Sequence, residues 1–238
     1  DKVAFTGSTE IGYEIMRTAH KHNLKRVTLE LGGKSANIIM DDADIDLAIA
    51  QSQLGLFLNQ GQCCIAGSRV FVHEKIYDEF VKRSVEAAKK RKVGDPFQHD
   101  TDQGPQVDKE QLSKILNYID LGQKEGAKLQ VGGKRHGNKG FFVESTIFSD
   151  VKDEMTIAKE EIFGPVLSVV RATTVDEAID VINANPYGNG TAIFTNDGGA
   201  ARRYEADVEV GMIGVNVPVP VPVAYYSFGG WKASLFGD

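Results

Sequence analysis

Two hydrophobic periods share this chain. Short apolar runs bounded by glycine or polar turns read as strands: Val3-Ala4-Phe5, Val27-Thr28-Leu29-Glu30-Leu31, Asn37-Ile38-Ile39-Met40, Val70-Phe71-Val72 and Val166 to Val170. Further strands are expected at Leu129 to Gly133, Phe141 to Thr146, Thr191 to Thr195 and Ile213 to Asn216. Between them apolar residues recur three and four positions apart, as in Ile76, Phe80, Val81 and in Leu112, Ile115, Leu116, Ile119. That spacing predicts helices from Thr9 to near Asn23, from the Asp41–Asp46 cluster toward residue 57, and over 74–91, 109–125, 175–184 and 198–206. Strand and helix alternate throughout, so the fold class is α/β, layered, with a mostly parallel sheet. Pro218, Pro220 and Pro222 exclude a central strand or helix there and predict an extended loop.

Two turns have a polar character that bears on function. Thr6-Gly7-Ser8-Thr9 joins a strand to a helix, with Ser8 or Thr9 as N-cap. Such a turn can set a helix N-terminus against a phosphate. The full Gly-x-Gly-x-x-Gly spacing is missing, so a plain βα turn fits the residues equally well. Asp41 to Asp46 reads as helix capping and not as a metal loop, because no turn glycine and distal glutamate accompany it.

Composition excludes several classes. The 238 residues are 42% hydrophobic and 25% charged, ordinary values for a globular protein. The net charge of −6 comes without a basic block, so no nucleic-acid partner is expected. No run is long enough to span a membrane, and no signal peptide is expected. The only two cysteines, Cys63 and Cys64, are adjacent and cannot build a disulfide framework, which suits a reducing compartment. They lie in Phe57-Leu58-Asn59-Gln60-Gly61-Gln62-Cys63-Cys64-Ile65-Ala66, where an apolar element ends and a polar turn opens. A nucleophilic thiol needs that setting, although free cysteines also serve as small buried hydrophobes. Glu30 stands among apolar and β-branched neighbours and is therefore turned to solvent, paired or functional.

Three stretches in register resemble the aldehyde dehydrogenase superfamily: Val27-Thr28-Leu29-Glu30-Leu31-Gly32-Gly33-Lys34, the cysteine segment, and Lys159-Glu160-Glu161-Ile162-Phe163-Gly164-Pro165-Val166. The resemblance runs from Phe5-Thr6-Gly7-Ser8 to Phe228-Gly229-Gly230. It implies Cys64, not Cys63, as nucleophile and Glu30 as general base. It places Glu161 on the nicotinamide ribose and Phe163 beside it. Thr6, Gly7 and Ser8 would meet the cofactor diphosphate, with Leu31, Gly32 and Gln111 along the cofactor. The implied cofactor is NAD, with NADP not excluded, and the partner is a small-molecule aldehyde. The implied fold is a three-layer catalytic domain over residues 33–232, with residues 1–32 as a remnant of a Rossmann-like cofactor domain and 233–238 as a truncated tail. A cytoplasmic or mitochondrial-matrix homo-oligomer, dimer or tetramer, would follow.

The chemistry suits those residues. An aldehyde can lose hydride only after a nucleophile makes its carbon tetrahedral, and the resulting thioester then needs an activated water. Leu56, Phe57, Ile65 and Phe228 are candidates for the aldehyde pocket by proximity to the motifs. The match also departs from the family. The upstream asparagine that donates to the oxyanion, and the lysine and glutamate that hold the adenosine ribose, have no counterpart before Asp1. Up to about Val166 the chain resembles the cytosolic and mitochondrial NAD-dependent enzymes. Asn185 to Thr191 and Pro218 to Pro222 resemble methylmalonate-semialdehyde dehydrogenases, which release a CoA thioester. Three readings follow: a hydrolytic dehydrogenase, a CoA-acylating one, and an inactive fragment or structural derivative. A chimeric chain and an unusual natural branch both fit the change of resemblance. Glu30 favours hydrolysis, because the CoA branch lacks a glutamate in that pattern.

Overall fold

Seven strands form the main sheet of the computed structural model, which describes residues 1–237. In chain order the elements are β1 (Lys2–Thr6), α1 (Thr9–Thr18), β2 (Arg26–Glu30), β3 (Ala36–Ile39), α2 (Ile45–Phe57), β4 (Arg69–His73), α3 (Tyr77–Lys90) and α4 (Lys109–Lys124). They continue with β5 (Lys128–Val131), β6 (Thr146–Val151), α5 (Thr156–Lys159), β7 (Val166–Ala172), α6 (Val175–Ala184) and β8 (Tyr187–Gly188). The last are β9 (Gly190–Phe194), α7 (Gly198–Asp207), β10 (Met212–Val215), β11 (Trp231–Lys232) and β12 (Leu235–Phe236). The main sheet has the order β10-β9-β3-β4-β7-β6-β5, parallel throughout except for the antiparallel edge strand β5. A parallel sheet needs cover on both faces, and the apolar stripes of the helices supply it. Ile115 and Ile119 of α4, Ile157 of α5, Ile179 and Ile182 of α6 and Tyr204 of α7 pack on one side. Ile49 and Leu56 of α2 and Phe80 and Val81 of α3 pack on the other. This is the α/β, three-layer arrangement expected.

A small sheet, β1-β2-β12, stands beside the main one. Its β1 and β2 are parallel, and β12 adds antiparallel to β2. Residues 235–236 of the segment expected as a tail thus become a strand, and Asp238 of that segment lies outside the described residues. Ser234 ties this end in. Its hydroxyl donates to the Gly32 carbonyl at 2.7 Å and accepts from the Gly188 N–H at 3.1 Å, and its carbonyl accepts from Leu31 N–H at 2.8 Å.

Several bounds differ from the sequence reading. Helix α1 ends at Thr18 instead of near Asn23, because the Lys25 ammonium donates to the Ala19 carbonyl and caps the end there. Residues 74–76 form a 3-10 turn before α3. The strand expected from Phe141 begins only at Thr146. Upstream, Phe141 and Val143 carbonyls accept from Gln106 N–H and the Gln103 side chain, so that segment is bound to the 103–106 loop. The acidic cluster is fully engaged: Asp44 caps α2, Asp41 pairs with Lys75 at 2.6 Å, Asp46 pairs with Arg83, and Asp42 accepts from Thr195 and Asn196. The proline segment runs between β10 and β11 without helix or strand. Among the described residues, no helix is long and apolar enough to cross a membrane.

Candidate active site

The cysteine turn is built by left-handed backbone. After α2, Asn59 (φ 49°), Gln60 (φ 57°) and Gly61 (φ 73°) reverse the chain. Only glycine fits the third position, since a Cβ on Gly61 would overlap the Gly164 carbonyl. The Asn59 side chain closes the turn by donating to the Gln62 carbonyl at 2.9 Å. The result presents Cys63 and Cys64, both half-buried, to a cleft of about 450 Å³.

Opposite the cysteines the same cleft is walled by Leu31, Gly32 and the β1–α1 turn, Thr6 to Ser8. Ser8 is the N-cap of α1, its side chain accepting from the Ile11 N–H. Gly33, the next residue, is another place where a side chain is excluded: a Cβ there would overlap the Cys64 carbonyl. The chain leaving β2 therefore lies flat on the cysteine turn.

Glu161 and Phe163 close the cleft. The Glu161 carboxylate accepts from Gly33 N–H at 3.0 Å. Burial raises its pKa, opposed by that hydrogen bond and by the charges of Lys114 and Lys34. Phe163 holds φ 57°, an uncommon conformation for an aromatic residue, which costs about 1–3 kcal/mol and is typical of binding sites. Gln111 secures it: its Nε2 donates to the carbonyls of Ile162 and Phe163 at 3.0 and 2.7 Å. Gln111 thus lines the cleft while its amide is spent on the protein backbone.

Nine of the ten residues expected in the site, Thr6, Gly7, Ser8, Leu31, Gly32, Cys64, Gln111, Glu161 and Phe163, line this one cleft. The tenth, Glu30, does not. Its side chain is exposed and lines a neighbouring cavity with Phe5, Ser227, Phe228 and Leu235. The apolar residues around it in sequence do not enclose it, because the end of a small two-sided sheet leaves its face open. Thr6 is the wall common to both cavities. Of the residues expected at an aldehyde pocket, Leu56, Phe57 and Ile65 are core, at 0%, 1% and 2% exposure. Phe228 lies in the Glu30 cavity.

The two thiols act on each other. Cys64 donates to the Cys63 sulfur, and that hydrogen bond, helped by the Ile65 and Ala66 N–H groups and opposed by burial and by Glu161, brings Cys63 down to about 6. The same bond, burial and the neighbouring charge push Cys64 up, against a hydrogen bond from Asn189. The two thiols therefore titrate as a pair, with charge favoured on Cys63 over Cys64.

Four residues that sequence reasoning did not single out for the site belong to it. Gln62 and Lys114 line the cleft, Asn189 bonds Cys64, and Lys34 is buried behind Glu161. Lys34 and Gln62 carried a signal, Lys34 as the last residue of the Leu31-Gly32-Gly33-Lys34 run and Gln62 as a member of the cysteine segment.

The model of the aldehyde dehydrogenase family matches residues 1–238. Retinal dehydrogenase 2 of Rattus norvegicus is 56% identical over 234 residues, covering 98% of this chain and 45% of that protein. The mitochondrial aldehyde dehydrogenase of Homo sapiens is 55% identical over 237 residues, covering 100% of this chain and 46% of that protein. Among solved structures, the NAD+ complex of an aldehyde dehydrogenase from Bacillus cereus superposes with TM-score 0.96 at 44% identity, covering 100% of this chain and 48% of that one. A methylmalonate-semialdehyde dehydrogenase from Oceanimonas doudoroffii gives 0.95 at 44% identity, with 100% and 49% covered. The chain thus spans about half the length of the relatives it matches. A sheet, a cysteine turn and a glutamate that meet in one cleft, and a family match running end to end, lead to one assignment: the chain belongs to the aldehyde dehydrogenase family.

Proposed function

We propose that this chain carries the cysteine site of an enzyme that oxidises an aldehyde to a carboxylic acid with a nicotinamide dinucleotide. The observation that supports it is the convergence of Cys64, Glu161 and the N-terminus of α1 on one cleft. The cleft suits the nicotinamide and diphosphate half of NAD or NADP. The first N–H groups of α1 favour an anion, and the Glu161 carboxylate accepts from ribose hydroxyls. A Cβ on Gly32 would come within 2.7 Å of Glu161 Oε2, so the bare glycine keeps that carboxylate open. Bound there, a nicotinamide supplies the hydride acceptor.

The chain's own residues do the rest. Cys64, as thiolate, attacks the carbonyl carbon. The adduct is a thiohemiacetal whose carbon is tetrahedral and able to release hydride, and the product is a thioester on Cys64. Glu30, turning its side chain past Thr6 into the cleft, takes the proton of the water that hydrolyses it. Residues 1–32 and β12 form the cofactor wall of this site, and residues 33–232 the cysteine side.

A second reading draws on the position of Glu30. Because that carboxylate is exposed and outside the cleft, transfer of the acyl group to CoA needs no change at Glu30. One experiment separates the readings: nicotinamide reduction by the full-length protein with a panel of small aldehydes, with and without CoA. The hydrolytic reading expects turnover and free acid without CoA, and Cys64→Ala abolishing turnover while Cys63→Ala retains most of it. Acyl-CoA as the obligatory product selects the second reading. Equal loss in both cysteine variants overturns the assignment of Cys64.

A further inference from the structure

A cavity of about 570 Å³ shares no lining residue with the cysteine cleft. Its inner wall is made by Arg69, Asp153, Val181 and Tyr187, and its mouth carries the exposed Glu154, Lys159 and Glu160. Tyr187 divides it from the cleft: a Cβ on Gly32, a cleft residue, would lie 3.3 Å from Tyr187 Cε1. Arg69 opens β4 and is only 4% exposed. Among the described residues its side chain makes one hydrogen bond, from Nε to the Lys34 carbonyl at 3.1 Å, and the guanidinium carbon lies 5.5 Å from the centre of the Phe71 ring. The donors on both terminal nitrogens are left unspent, although a buried guanidinium is suited to a bidentate carboxylate.

Asp153 is the matching half. Its Oδ1 is buried and has no hydrogen-bond partner among the described residues. Unspent donors and an unspent acceptor thus wall the same space, and buried polar groups left unpaired are costly. One water would need only about 30 Å³, whereas ligand pockets run from about 300 to 1,000 Å³. The charges narrow the choice. A phosphate on Arg69 would set its charge against Asp153, and a simple cation on Asp153 would set its charge against Arg69. A molecule carrying both signs meets both groups. Val181, Ala184, Pro186 and the Tyr187 ring leave an apolar wall for the rest of it.

We propose that this cavity binds a free apolar α-amino acid, its carboxylate on the Arg69 guanidinium, its ammonium on Asp153 and its side chain against Val181, Ala184, Pro186 and Tyr187. The site is separate from the cysteine cleft and does not depend on the reaction proposed above. The test is isothermal titration calorimetry of the intact protein with L-leucine and L-phenylalanine, at least one of which should bind saturably. For a leucine site, 4-methylpentanoate lacks the ammonium and 3-methylbutylamine lacks the carboxylate, so each should bind about tenfold more weakly or worse, the usual effect of losing a charged hydrogen bond. Asp153→Asn keeps the outline and should weaken the amino acid by a similar factor without weakening 4-methylpentanoate. Arg69→Met should abolish amino-acid binding. If that variant fails to fold by circular dichroism, Asp153→Asn and the two analogues decide. The proposal is overturned if neither amino acid binds, if 4-methylpentanoate binds as tightly as leucine, or if Asp153→Asn leaves amino-acid binding unchanged. No aldehyde or nicotinamide enters the assay, so its failure leaves the functional reading standing, and failure of that reading leaves this site standing.

Discussion

The two sheets hold the two halves of the cleft in different ways. In the main sheet, β3, β4 and β9 are buried along their whole length under helices on both faces. In the small sheet, β1 alternates exposed and half-buried residues, and β2 buries fully only Leu29. Helix α1 leaves Ile11 and Tyr13 about half exposed, and Leu24 is 94% exposed. The cysteines, Glu161, Phe163 and Asn189 hang from the enclosed frame, whereas Thr6, Gly7, Ser8 and Glu30 hang from the open one. The lesson is that groups whose mutual geometry must hold to a fraction of an ångström sit where packing fixes it. Under the proposed function, the groups that meet the cofactor diphosphate or must turn sit where it does not.

Glu30→Gln puts that contrast to its hardest test. If Glu30 serves from the open sheet by turning into the cleft, the variant keeps attack by Cys64 and hydride loss. It should then give one burst of reduced nicotinamide followed by a steady state slowed on the order of 100- to 10,000-fold. Stopped-flow absorbance measures both phases, and near-normal turnover would place the water-activating base elsewhere. Restoration by CoA, with acyl-CoA as product, would turn the hydrolytic reading into the acyl-transfer one.

Paired core substitutions sharpen the same contrast energetically. Phe71 of β4 is 2% exposed, and Phe71→Ala should cost about 3–5 kcal/mol through lost burial and the cavity left. Leu24→Ala, beside β2, should stay within about 0.5 kcal/mol. Guanidinium unfolding of the intact protein gives both values. Comparable losses would show that the small sheet is covered in the intact protein as tightly as the large one.

How much of this the sequence could show follows from the range of each interaction. Local rules succeed where the partners are near. Ser8 caps α1, Asp44 caps α2, and α6 covers Val175–Ala184 as its periodicity predicts. The cleft residues were legible because three motifs keep their spacing. Position across space was not legible. Glu161 meets Gly33 across 128 residues, and Ser234 meets Gly32 across 202, pairs that no periodicity encodes. Asn189 looked like one polar residue in a turn, and only the meeting of β9 with the cysteine turn gives it a sulfur. The open side of Glu30 was equally invisible, since β2 reads as apolar whether or not a second layer covers it. The antiparallel edge strand β5 is likewise a matter of topology.

The seam between the sheets offers the finest test. Lys34 follows the Gly32–Gly33 bend, is 2% exposed, and its ammonium has no hydrogen-bond partner among the described residues. Burial, with Arg69 nearby, lowers its pKa to about 7, against the pull of Glu161 and Glu160. The sign follows from proton counts. Between the folded value of about 7 and the ordinary value of 10.5, the unfolded chain binds a proton that the folded chain does not, so stability rises with pH across that window. Below it both states are protonated and the folded chain carries the full penalty of a buried ammonium. From about pH 7 to about pH 9 this one group should add on the order of 2 kcal/mol of stability. Cys63, whose folded value lies below its ordinary one, slopes the same way over that range, so only the difference between wild type and variant isolates Lys34. Lys34→Met keeps the length and removes the proton. It should raise stability most at neutral pH and below, and less as pH increases, with denaturant midpoints taken at several pH values. A constant offset between the two proteins would mean that Lys34 stays charged in the seam, held by Glu161, and that the cleft keeps a fixed cation behind its carboxylate.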